Sequence, residues 1–350
     1  MITVKVSASK EYDVHIGSGL LARLGDETAK VVKPGRAVIV SDSNVWPLYG
    51  NIASESIKNA GFDTLNYVFS AGEESKCGSV YLDLLNFLAE NRVTRSDCLI
   101  ALVGGVVGDM TGFAAATYLR GIRYIQVPTT LLAAVDSSVG GKTAIDLPAG
   151  KNLAGAFCQP SLVVCDTDAL NTLPEDIYRD GCAEVIKYGV LYDEALFRSL
   201  TQTGLNFDRE SVIARCVELK RNVVMEDEFD TGARQKLNLG HTVGHGIEAH
   251  SNFTVSHGKA VAAGMAIVAR AGAAWGICDA NTAERIIKTL DLFGLPTTTS
   301  LSSAELYHSA LSDKKRSGNT VNLIVPKAIG ACIIHTLAVD DVKSFIEAGL

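Results

Sequence analysis

The sequence predicts an α/β domain with a mostly parallel, Rossmann-like sheet, followed by a mainly α-helical domain. In the first half of the chain, short runs rich in β-branched residues alternate with helical patterns, whereas from about Asn171 onward the pattern is almost entirely helical. The length of 350 residues is sufficient for two domains. We therefore expect an α/β domain over 1–172 and a helical domain over 173–350, with a small-molecule site in the cleft between them.

Five short runs in the first half are predicted to be strands, because each is apolar and rich in β-branched residues. After the third of them, the segment 79–92 repeats Val80, Leu84 and Leu88 at helical spacing. Alternation of this kind indicates a parallel sheet covered by helices. The predicted strands are 2–6, 36–42, 63–69, 97–103 and 123–128.

The second half carries long amphipathic segments, which predict helices over 183–200, 211–224 and 261–274. Two late apolar runs, TVNLIVP and ACIIHTL, indicate a hairpin around 328–330. This change of pattern is the reason for placing a domain boundary near 172.

Composition excludes several functional classes. Hydrophobic residues make up 47% and charged residues 20% of the chain, and the net charge is −7. An acidic chain has no electrostatic reason to bind nucleic acid or an anionic membrane. The eight cysteines form no C-x-x-C pair, which indicates reduced thiols, and the N-terminus does not have the pattern of a signal peptide. We expect a cytoplasmic protein.

A glycine-rich turn is the strongest local signal in the first half. Gly104, Gly105 and Gly108 follow an apolar strand and precede a helix, whose free N–H groups could bind a diphosphate. The spacing is G-G-x-x-G-D, so the usual G-x-G-x-x-G dinucleotide fingerprint is absent. The alternative is a tight strand-to-helix turn that requires positive φ angles.

Two acidic segments could complete a cofactor site. Asp42 ends a predicted strand, where a carboxylate can accept a ribose hydroxyl. The segment 72–76, with Glu73 and Lys76, lies in a turn after the next strand. Each alone is explained equally well as a helix cap or a solvated loop charge.

Histidines are concentrated in the second half. His241 and His245 are four residues apart and share one helical face, and His257 follows twelve residues later. Imidazole is a common metal ligand, and Glu184, in an apolar helix start, is the best candidate for a carboxylate ligand. The pattern is not H-E-x-x-H, which disfavours zinc-protease chemistry. Otherwise two of these histidines are ordinary core or surface residues.

Basic residues beside glycines or within apolar segments form a third group. In an acidic protein they indicate receptors for an anionic ligand, although most lysines are simply solvated surface residues. The group comprises Lys142, Lys151, Lys187, Lys220, Arg234, Lys314 and Lys315.

Taken together, these segments resemble the 3-dehydroquinate synthase family. The matching segments occur in the family's order and extend from about 40 to 330, which makes the resemblance highly specific. They are GEESK (72–76), GGVVGD (104–109), RGIRYIQVPTTLLAAVDSSVGGKTAID (120–146), GKNLAGAF (150–157), AEVIKYG (183–189), LNLGHTVGH (237–245), HGKAVAAGM (257–265) and SDKK (312–315).

The resemblance implies a dehydroquinate synthase-like fold and a lyase of the shikimate pathway. Such enzymes convert 3-deoxy-D-arabino-heptulosonate 7-phosphate to 3-dehydroquinate and phosphate. They oxidise the substrate transiently with NAD+, eliminate phosphate, reduce the ketone again and close the ring by an intramolecular aldol step. The implied cofactors are NAD+ and a divalent metal, Zn²⁺ or Co²⁺, the ligand is a phosphorylated sugar acid, and the implied assembly is a homodimer.

The resemblance also assigns roles to individual residues. It implies Glu184, His241 and His257 as metal ligands. Arg120 would reach into the partner's site, Arg234 would bind the substrate carboxylate, and Asn152, Asn238, His245 and Lys314 or Lys315 would lie on the phosphate side. Asp136, Lys142, Lys187 and Lys220 would orient hydroxyls and handle protons. NAD+ would contact Asp42, Asn44, Gly72, Glu73, Lys76, Gly104, Gly105, Val106, Val107, Gly108, Asp109, Thr129, Thr130, Lys142, Lys151, Ala169, Leu170, Asn171 and Thr172.

Three positions depart from the family pattern. Lys259 stands where a Glu usually follows His-Gly, which reverses a charge two residues from a proposed metal ligand. Ala169 stands where a bulky aromatic residue is common near the cofactor, and Ala233 replaces a usual Leu. We expect the first to alter the surroundings of the metal, the second to loosen NAD+ binding and the third to affect packing only.

Three other functions are compatible with parts of the pattern. A cyclase of the 2-deoxy-scyllo-inosose synthase type acts on sugar phosphates without a carboxylate, and would be expected to differ at Lys220, Arg234 and Asn238. A metal-dependent polyol dehydrogenase has no use for so many anion-binding residues. A non-catalytic nucleotide-binding protein leaves the histidine cluster without a role.

Overall fold

The computed structural model describes residues 1–251, 254–312, 316–317 and 319–350. The chain divides into two compact units, the first formed by 1–173 and 209–229 and the second by 174–208 and 230–350. The segment 209–229, which the sequence assigned to the second domain, therefore belongs by its contacts to the first unit. A single cut after residue 172 does not describe the division.

Of the strands in the described part of the chain, nine belong to the first unit and three to the second. The strands are β1 (Ile2–Ser7), β2 (Glu11–Gly17), β3 (Arg36–Asp42), β4 (Asp63–Phe69), β5 (Cys98–Val103), β6 (Arg123–Pro128), β7 (Lys142–Leu147), β8 (Gly150–Phe157), β9 (Leu162–Asp166), β10 (Arg316–Ser317), β11 (Thr320–Ala328) and β12 (Ala331–Ala338).

The helices of the described residues are numbered in the same way along the chain. They are α1 (Leu24–Val31), α2 (Trp46–Asn59), α3 (Gly78–Glu90), α4 (Gly105–Thr117), α5 (Glu175–Tyr192), α6 (Glu194–Thr203), α7 (Arg209–Glu226), α8 (His241–His250), α9 (His257–Ala274), α10 (Ala280–Leu292), α11 (Ser303–Ser312) and α12 (Val339–Glu347).

The first unit is built on a seven-stranded sheet in the order β1-β2-β9-β6-β5-β3-β4. Only β1 pairs antiparallel, with β2, and the other neighbours are parallel. The sequence predicted a mostly parallel sheet, which is confirmed, but the five predicted strands did not include β2, β9 or the separate β7–β8 hairpin. The strand β2 was missed because its run EYDVHIG begins with charged residues.

The sheet is covered on both faces, since alternate residues of its central strands enter two different apolar cores. Val38 and Val40 of β3 pack in one core with Leu84 of α3 and Met110 of α4. The intervening residues of β3 enter the other core, where Ile57 of α2 lies. Near-continuous burial along β3 follows from this arrangement and is typical of a parallel strand.

The strand order determines where a ligand is expected. The chain crosses from β3 to β4 on one side and then places β5 on the opposite side of β3. In doubly wound sheets, ligands bind at the carboxyl ends of the strands where the order reverses. Here that point lies between Asp42, which ends β3, and Gly104, which follows β5.

The second unit is mainly helical, as predicted. The helix expected over 183–200 is two helices, α5 and α6, because the Asp193 carboxylate caps α6 by accepting the Leu196 N–H at 2.9 Å. The late hairpin is confirmed: β11 and β12 pair antiparallel and are joined around Ile329. None of the described helices is long and apolar enough to cross a membrane.

Candidate active-site residues in the two units

Three predicted metal ligands converge in the second unit. The Nε2 atoms of His241 and His257 each lie 3.6 Å from Oε1 of Glu184. One ligand atom from each residue lies within 4.8 Å of the other two. Glu184 is fully buried, whereas His257 is half-buried. Two imidazole nitrogens and one carboxylate oxygen around one point are a donor set that could hold a catalytic metal ion.

Close packing of α5 against α9 brings these ligands together. At Gly258 an added Cβ would lie 1.9 Å from the carbonyl oxygen of Asp180, so only glycine allows this approach. The Asp180 carboxylate accepts the backbone N–H of Lys259 at 2.9 Å and the Ser256 hydroxyl, and thereby caps the start of α9. Since Glu184 lies one turn beyond Asp180 on α5, the same contact fixes His257 beside Glu184.

The hydrogen bonds on the far side of both imidazoles determine their tautomers. Nδ1 of His241 lies 3.1 Å from the carbonyl oxygen of Leu239, which can only accept, so Nδ1 carries the proton and the lone pair is on Nε2. Nδ1 of His257 lies 3.5 Å from Oε2 of Glu248. Burial lowers the pKa of His257, but its interactions with the nearby carboxylates of Glu184 and Glu248 outweigh burial and raise that pKa to about 10.

The Glu184 carboxylate provides a test of whether a cation fits. Its Oε1 has no hydrogen-bond partner among the described residues, although it is fully buried and faces two imidazole nitrogens. Its Oε2 pairs with the ammonium of Lys187, one turn further along α5 and 1% exposed. A divalent cation bound by Oε1 and the two Nε2 atoms would satisfy this buried oxygen. The donor set fits a metal such as zinc.

Other predicted residues of the second unit lie on the same segment of chain. The His245 ring is exposed and its centroid is 5.5 Å from that of His241. Arg234 is 2% exposed, in the turn that precedes α8. Asn238 donates from its side-chain amide to the carbonyl oxygen of Gln235 at 3.0 Å. Lys314 and Lys315 lie outside the described residues.

In the first unit, close packing accounts for the glycine-rich turn between β5 and α4 better than positive φ angles do. Gly104, Gly105 and Gly108 all have ordinary φ angles, so a requirement for positive φ is not the reason for them. At Gly108 an added Cβ would lie 2.9 Å from Oε1 of Gln126 on β6. Glycine there allows α4 to pack closely on the sheet, while the first N–H groups of α4 face the carboxyl end of β5.

The predicted cofactor segments around β3 and β4 are ordered by their own hydrogen bonds. Oδ1 of Asp42 accepts the backbone N–H of Asn44 at 2.8 Å and that of Val45 at 2.9 Å. Glu73 forms an ion pair with Lys151 at 3.3 Å. Gly72 has φ 121°, which permits the turn before Glu73.

Lys76 joins three of the predicted segments. Its buried ammonium lies 2.6 Å from Oδ2 of Asp109 on α4 and 2.6 Å from Oδ1 of Asn152 on β8. Asn152 has the left-handed φ of 55°, and its N–H is accepted by Asp146 at 2.7 Å. The Asp146 N–H in turn donates to the Lys76 carbonyl at 2.7 Å.

The segment Thr167–Thr172 forms a short 3₁₀ helix beside α2. The Tyr49 hydroxyl on α2 donates to the carbonyl oxygen of Ala169 at 2.9 Å and also contacts the Thr172 hydroxyl. Leu170 is buried, and the Asn171 side chain accepts from Arg209 at 2.6 Å. The Tyr49 hydroxyl thus holds Ala169 and Thr172 beside α2.

The segment after β6 holds Asp136 in an unusual helix. Thr130 starts it by accepting the Ala133 N–H at 3.2 Å, and residues Ala133–Ser137 form a π-helix, a conformation that is frequent at functional sites. The Lys220 ammonium on α7 lies 2.9 Å from Oδ1 of Asp136 and 2.6 Å from its carbonyl oxygen. α7 also packs against β1 and β2, and these contacts together place it in the first unit.

Three more predicted residues are placed within the first unit. Thr129 is buried, and its hydroxyl has no hydrogen-bond partner among the described residues. Lys142 begins β7 and is exposed. Arg120 is exposed at the end of α4 with φ 66°, next to Leu119 with φ 51°. Two successive left-handed residues other than glycine are costly.

Comparison with known proteins gives the family of the chain. The 3-dehydroquinate synthase N-terminal model matches residues 66–180, and the 3-dehydroquinate synthase C-terminal model matches residues 181–316. A 3-dehydroquinate synthase of Streptococcus suis (strain 05ZYH33) is 41% identical over 343 residues, which is 96% of this chain and 97% of that protein. One of Enterococcus faecalis (strain ATCC 700802 / V583) is 40% identical over 342 residues, 96% of each chain. This chain belongs to the 3-dehydroquinate synthase family.

Solved structures share the fold of this 3-dehydroquinate synthase family member. A 2-deoxy-scyllo-inosose synthase complexed with carbaglucose-6-phosphate, NAD+ and Co²⁺ is similar with a TM-score of 0.89 and 24% identity over 100% of both chains. A 2-epi-5-epi-valiolone synthase from Streptomyces hygroscopicus subsp. jinggangensis 5008, with NAD+ and Zn²⁺ bound, has a TM-score of 0.88 and 25% identity over 98% of each chain. An iron-containing alcohol dehydrogenase is more distant, with a TM-score of 0.69.

Four residues that contribute to the geometry of this family member were missed from the sequence. They are the capping residue Asp180, the His257 neighbour Glu248, the hairpin residue Asp146 and Tyr49 of α2. A signal was available for two of them: Asp180 precedes Glu184 by four residues, and Glu248 follows His241 by seven, so each shares a helical face with a metal-ligand candidate.

The three departures from the family pattern have identifiable surroundings. The Lys259 N–H donates to Asp180, and within the described part of the chain its ammonium has no ion pair. At Ala169 the backbone carbonyl is bonded by Tyr49, which brings an aromatic ring to that segment. Ala233 is half-buried at the start of the turn that carries Arg234.

Proposed function

We propose that this chain converts 3-deoxy-D-arabino-heptulosonate 7-phosphate to 3-dehydroquinate and phosphate with the residues described above. The observation that carries the proposal is Oε1 of Glu184, which is buried, has no hydrogen-bond partner within the described ranges and lies 3.6 Å from Nε2 of both His241 and His257. Membership of the 3-dehydroquinate synthase family supports it.

The proposed cofactors are NAD+ and a divalent metal, Zn²⁺ or Co²⁺. When bound, NAD+ supplies a reversible hydride acceptor and the metal a Lewis acid that polarises substrate hydroxyls. Glu184, His241 and His257 hold the metal. The Lys187 ammonium pairs with Oε2 of Glu184 and thereby orients the carboxylate, so that Oε1 is directed at the metal.

The first unit holds the cofactor at the carboxyl ends of its parallel strands. The first N–H groups of α4 face a diphosphate, and Asp42 lies at the end of the adjacent strand, where a ribose is expected. The proposed NAD+ contacts are Asp42, Asn44, Gly72, Glu73, Lys76, Gly104, Gly105, Val106, Val107, Gly108, Asp109, Thr129, Thr130, Lys142, Lys151, Ala169, Leu170, Asn171 and Thr172.

Asp136 and Lys220 are proposed to orient substrate hydroxyls and transfer protons. Two contacts hold the Lys220 ammonium in place, one to the Asp136 carboxylate and one to its backbone. A pair fixed in this way presents a cation and a carboxylate in constant geometry, which proton transfer requires. Lys142 is proposed to act with them.

Arg234 is proposed to bind the substrate carboxylate. A planar guanidinium binds a carboxylate through two parallel hydrogen bonds, and the burial of Arg234 strengthens such a contact. Asn152, Asn238 and His245 are proposed for the phosphate side of the substrate, together with Lys314, which lies outside the described residues.

The substrate class is tested by comparing sugar phosphates. With catalytic NAD+ and Zn²⁺ or Co²⁺, we expect phosphate release from 3-deoxy-D-arabino-heptulosonate 7-phosphate but not from glucose 6-phosphate or sedoheptulose 7-phosphate, which lack the carboxylate. Arg234→Ala should raise the KM for the heptulosonate phosphate far more than that for NAD+, and Arg234→Lys should recover part of the loss. Turnover of glucose 6-phosphate would indicate a different sugar-phosphate cyclase.

A homodimer in which Arg120 completes the partner's site is the proposed assembly. The exposed, left-handed Arg120 and the family resemblance support it. Mixing Arg120→Ala chains with His257→Ala chains tests it, because only a mixed dimer with shared sites contains one intact site. Recovery of activity on mixing is expected, and no recovery would contradict the proposal. The eight free cysteines support a cytoplasmic location.

A further inference from the structure

We propose that Glu248 is a positioning residue for the metal: its carboxylate accepts the Nδ1–H of His257 and thereby directs the Nε2 lone pair of that ring at the metal. The inference rests on the proposed metal role of His257 and extends it to a residue with no assigned function.

The two nitrogens of His257 face two different carboxylates. On one side Nε2 lies 3.6 Å from Oε1 of Glu184, and on the other Nδ1 lies 3.5 Å from Oε2 of Glu248. Glu248 is 5% exposed, so its charge acts in a region of low water content. A metal-bound imidazole commonly donates its second N–H to a carboxylate, which fixes the ring and makes it a stronger ligand.

The neighbouring ligand, His241, shows the same arrangement with a different acceptor. Its Nδ1 lies 3.1 Å from the Leu239 carbonyl oxygen, which assigns the proton to Nδ1 and the lone pair to Nε2. For His257, the Glu248 carboxylate takes the place of that carbonyl. Both rings then present Nε2 to Glu184, as a common metal requires.

The helix α8 explains how one segment supplies both kinds of residue. His241 and Glu248 are seven residues apart, which is about two helical turns and places both on one face. That face lies against the start of α9, where His257 is the first residue. One helix, α8, therefore carries both the proposed ligand His241 and the positioning residue Glu248.

A second metal at Glu248 is the competing interpretation. One ligand atom each of His245, Glu248 and His257 also lies within 4.8 Å of the other two. Filling both sites at once would require His257 to bind cations through both nitrogens, and therefore to lose its last ring proton. His245 is exposed whereas Glu184 is fully buried, which favours the Glu184 side for the metal and leaves Nδ1–H for Glu248.

Zinc binding to the full-length, metal-free protein tests the proposal without substrate. We expect one Zn²⁺ per chain, an affinity about 10- to 100-fold weaker in Glu248→Ala, and an intermediate affinity in Glu248→Gln, whose amide oxygen still accepts but carries no charge. Glu284→Gln, an exposed carboxylate on α10, is the matched control and should bind as the wild type does. The visible spectrum of bound Co²⁺ should change in both Glu248 variants and not in the control.

Each other outcome has a distinct meaning. Wild-type zinc affinity in Glu248→Gln, or two Zn²⁺ ions per chain with one lost in Glu248→Ala, would overturn the positioning role. If His257→Ala loses zinc while both Glu248 variants keep it, only this inference fails. If His257→Ala keeps zinc, the proposed metal site itself is wrong. Glu248→Gln retains the shape of the side chain and decides the matter even if Glu248→Ala does not fold.

Discussion

The Lys76 ammonium lies 2.6 Å from the Asp109 carboxylate, with side chains that are 6% and 20% exposed. The same ammonium lies 2.6 Å from Oδ1 of Asn152. Burial lowers the pKa of Lys76, but the charge and hydrogen bond of Asp109 outweigh it and raise that pKa. The glycine-rich helix, the segment after β4 and the β7–β8 hairpin are therefore joined by one charged group.

Removing the lysine from this pair should be costly. Lys76→Met leaves the Asp109 carboxylate buried without its cation, and we expect a loss of about 3 kcal/mol in the free energy of unfolding. The double variant Lys76→Met/Asp109→Asn should recover more than half of it, because no charge is then left unpaired. Urea unfolding at pH 7 measures both, and a loss below about 1 kcal/mol in the single variant would contradict the account.

The close approach of α9 to α5 can be tested with one methyl group. In Gly258→Ala the added Cβ would meet the Asp180 carbonyl, so the helices must separate and the metal ligands move apart. We expect loss of zinc binding and a destabilisation of roughly 3 kcal/mol. Gly78→Ala is the control: it lies at the start of α3 with no atom within 4 Å of the added carbon and should be neutral or slightly stabilising. Equal effects of the two substitutions would refute this explanation.

Most of the fold could be predicted from the sequence because the information was local. The apolar runs that became β3, β5 and β6 are strands buried on both faces of the sheet. Their short length and their β-branched residues distinguish them from helices in the sequence. The segment EYDVHIG and the break between α5 and α6 at Asp193 were missed, since pairing with β1 and a single cap decide them. The placement of α7 depends on contacts distant in the sequence, with β1, with β2 and between Lys220 and Asp136, which are 84 residues apart.

The three proposed metal ligands could be recognised in the sequence for a similar reason, whereas the residues that support them could not. His241 and His257 have a recognisable spacing, and Glu184 stands out as a carboxylate in an apolar helix. Asp180, Glu248 and Asp146 are ordinary acidic residues in the sequence. Their roles depend on which backbone N–H or ring nitrogen the fold brings to them.

The cap at the start of α9 should affect both stability and metal binding. Asp180→Ala removes the acceptor of the Lys259 N–H and the Ser256 hydroxyl, so we expect a loss of about 1–2 kcal/mol and weaker zinc binding through a displaced His257. The matched control is Asp279→Ala at the start of α10, where Oδ1 accepts the Thr282 N–H at 2.6 Å. It should reduce stability but leave the zinc affinity unchanged. Weaker zinc binding in both variants would show that the effect is not specific to α9.

Thiol reactivity follows from the different surroundings of the cysteines. A hydrogen bond with Ser79 and backbone N–H groups lower the pKa of the half-buried Cys77, whereas burial raises the pKa of Cys98, Cys165, Cys182 and Cys332 to about 12. Since the thiolate is the reactive form, iodoacetamide at pH 8 should modify Cys77 first and those four only after unfolding in urea. Peptide mapping by mass spectrometry measures the order. Modification of Cys158 or Cys278 before Cys77 would contradict it, because burial raises the pKa of both.

The most direct test of the proposed function measures phosphate and NADH in the same reaction. The metal-loaded protein is mixed with 3-deoxy-D-arabino-heptulosonate 7-phosphate and a small amount of NAD+, and His257→Ala serves as the control. We predict release of many phosphates per NAD+ with no accumulation of NADH absorbance, and no phosphate from His257→Ala. NADH that increases with each turnover would identify a dehydrogenase and contradict the account.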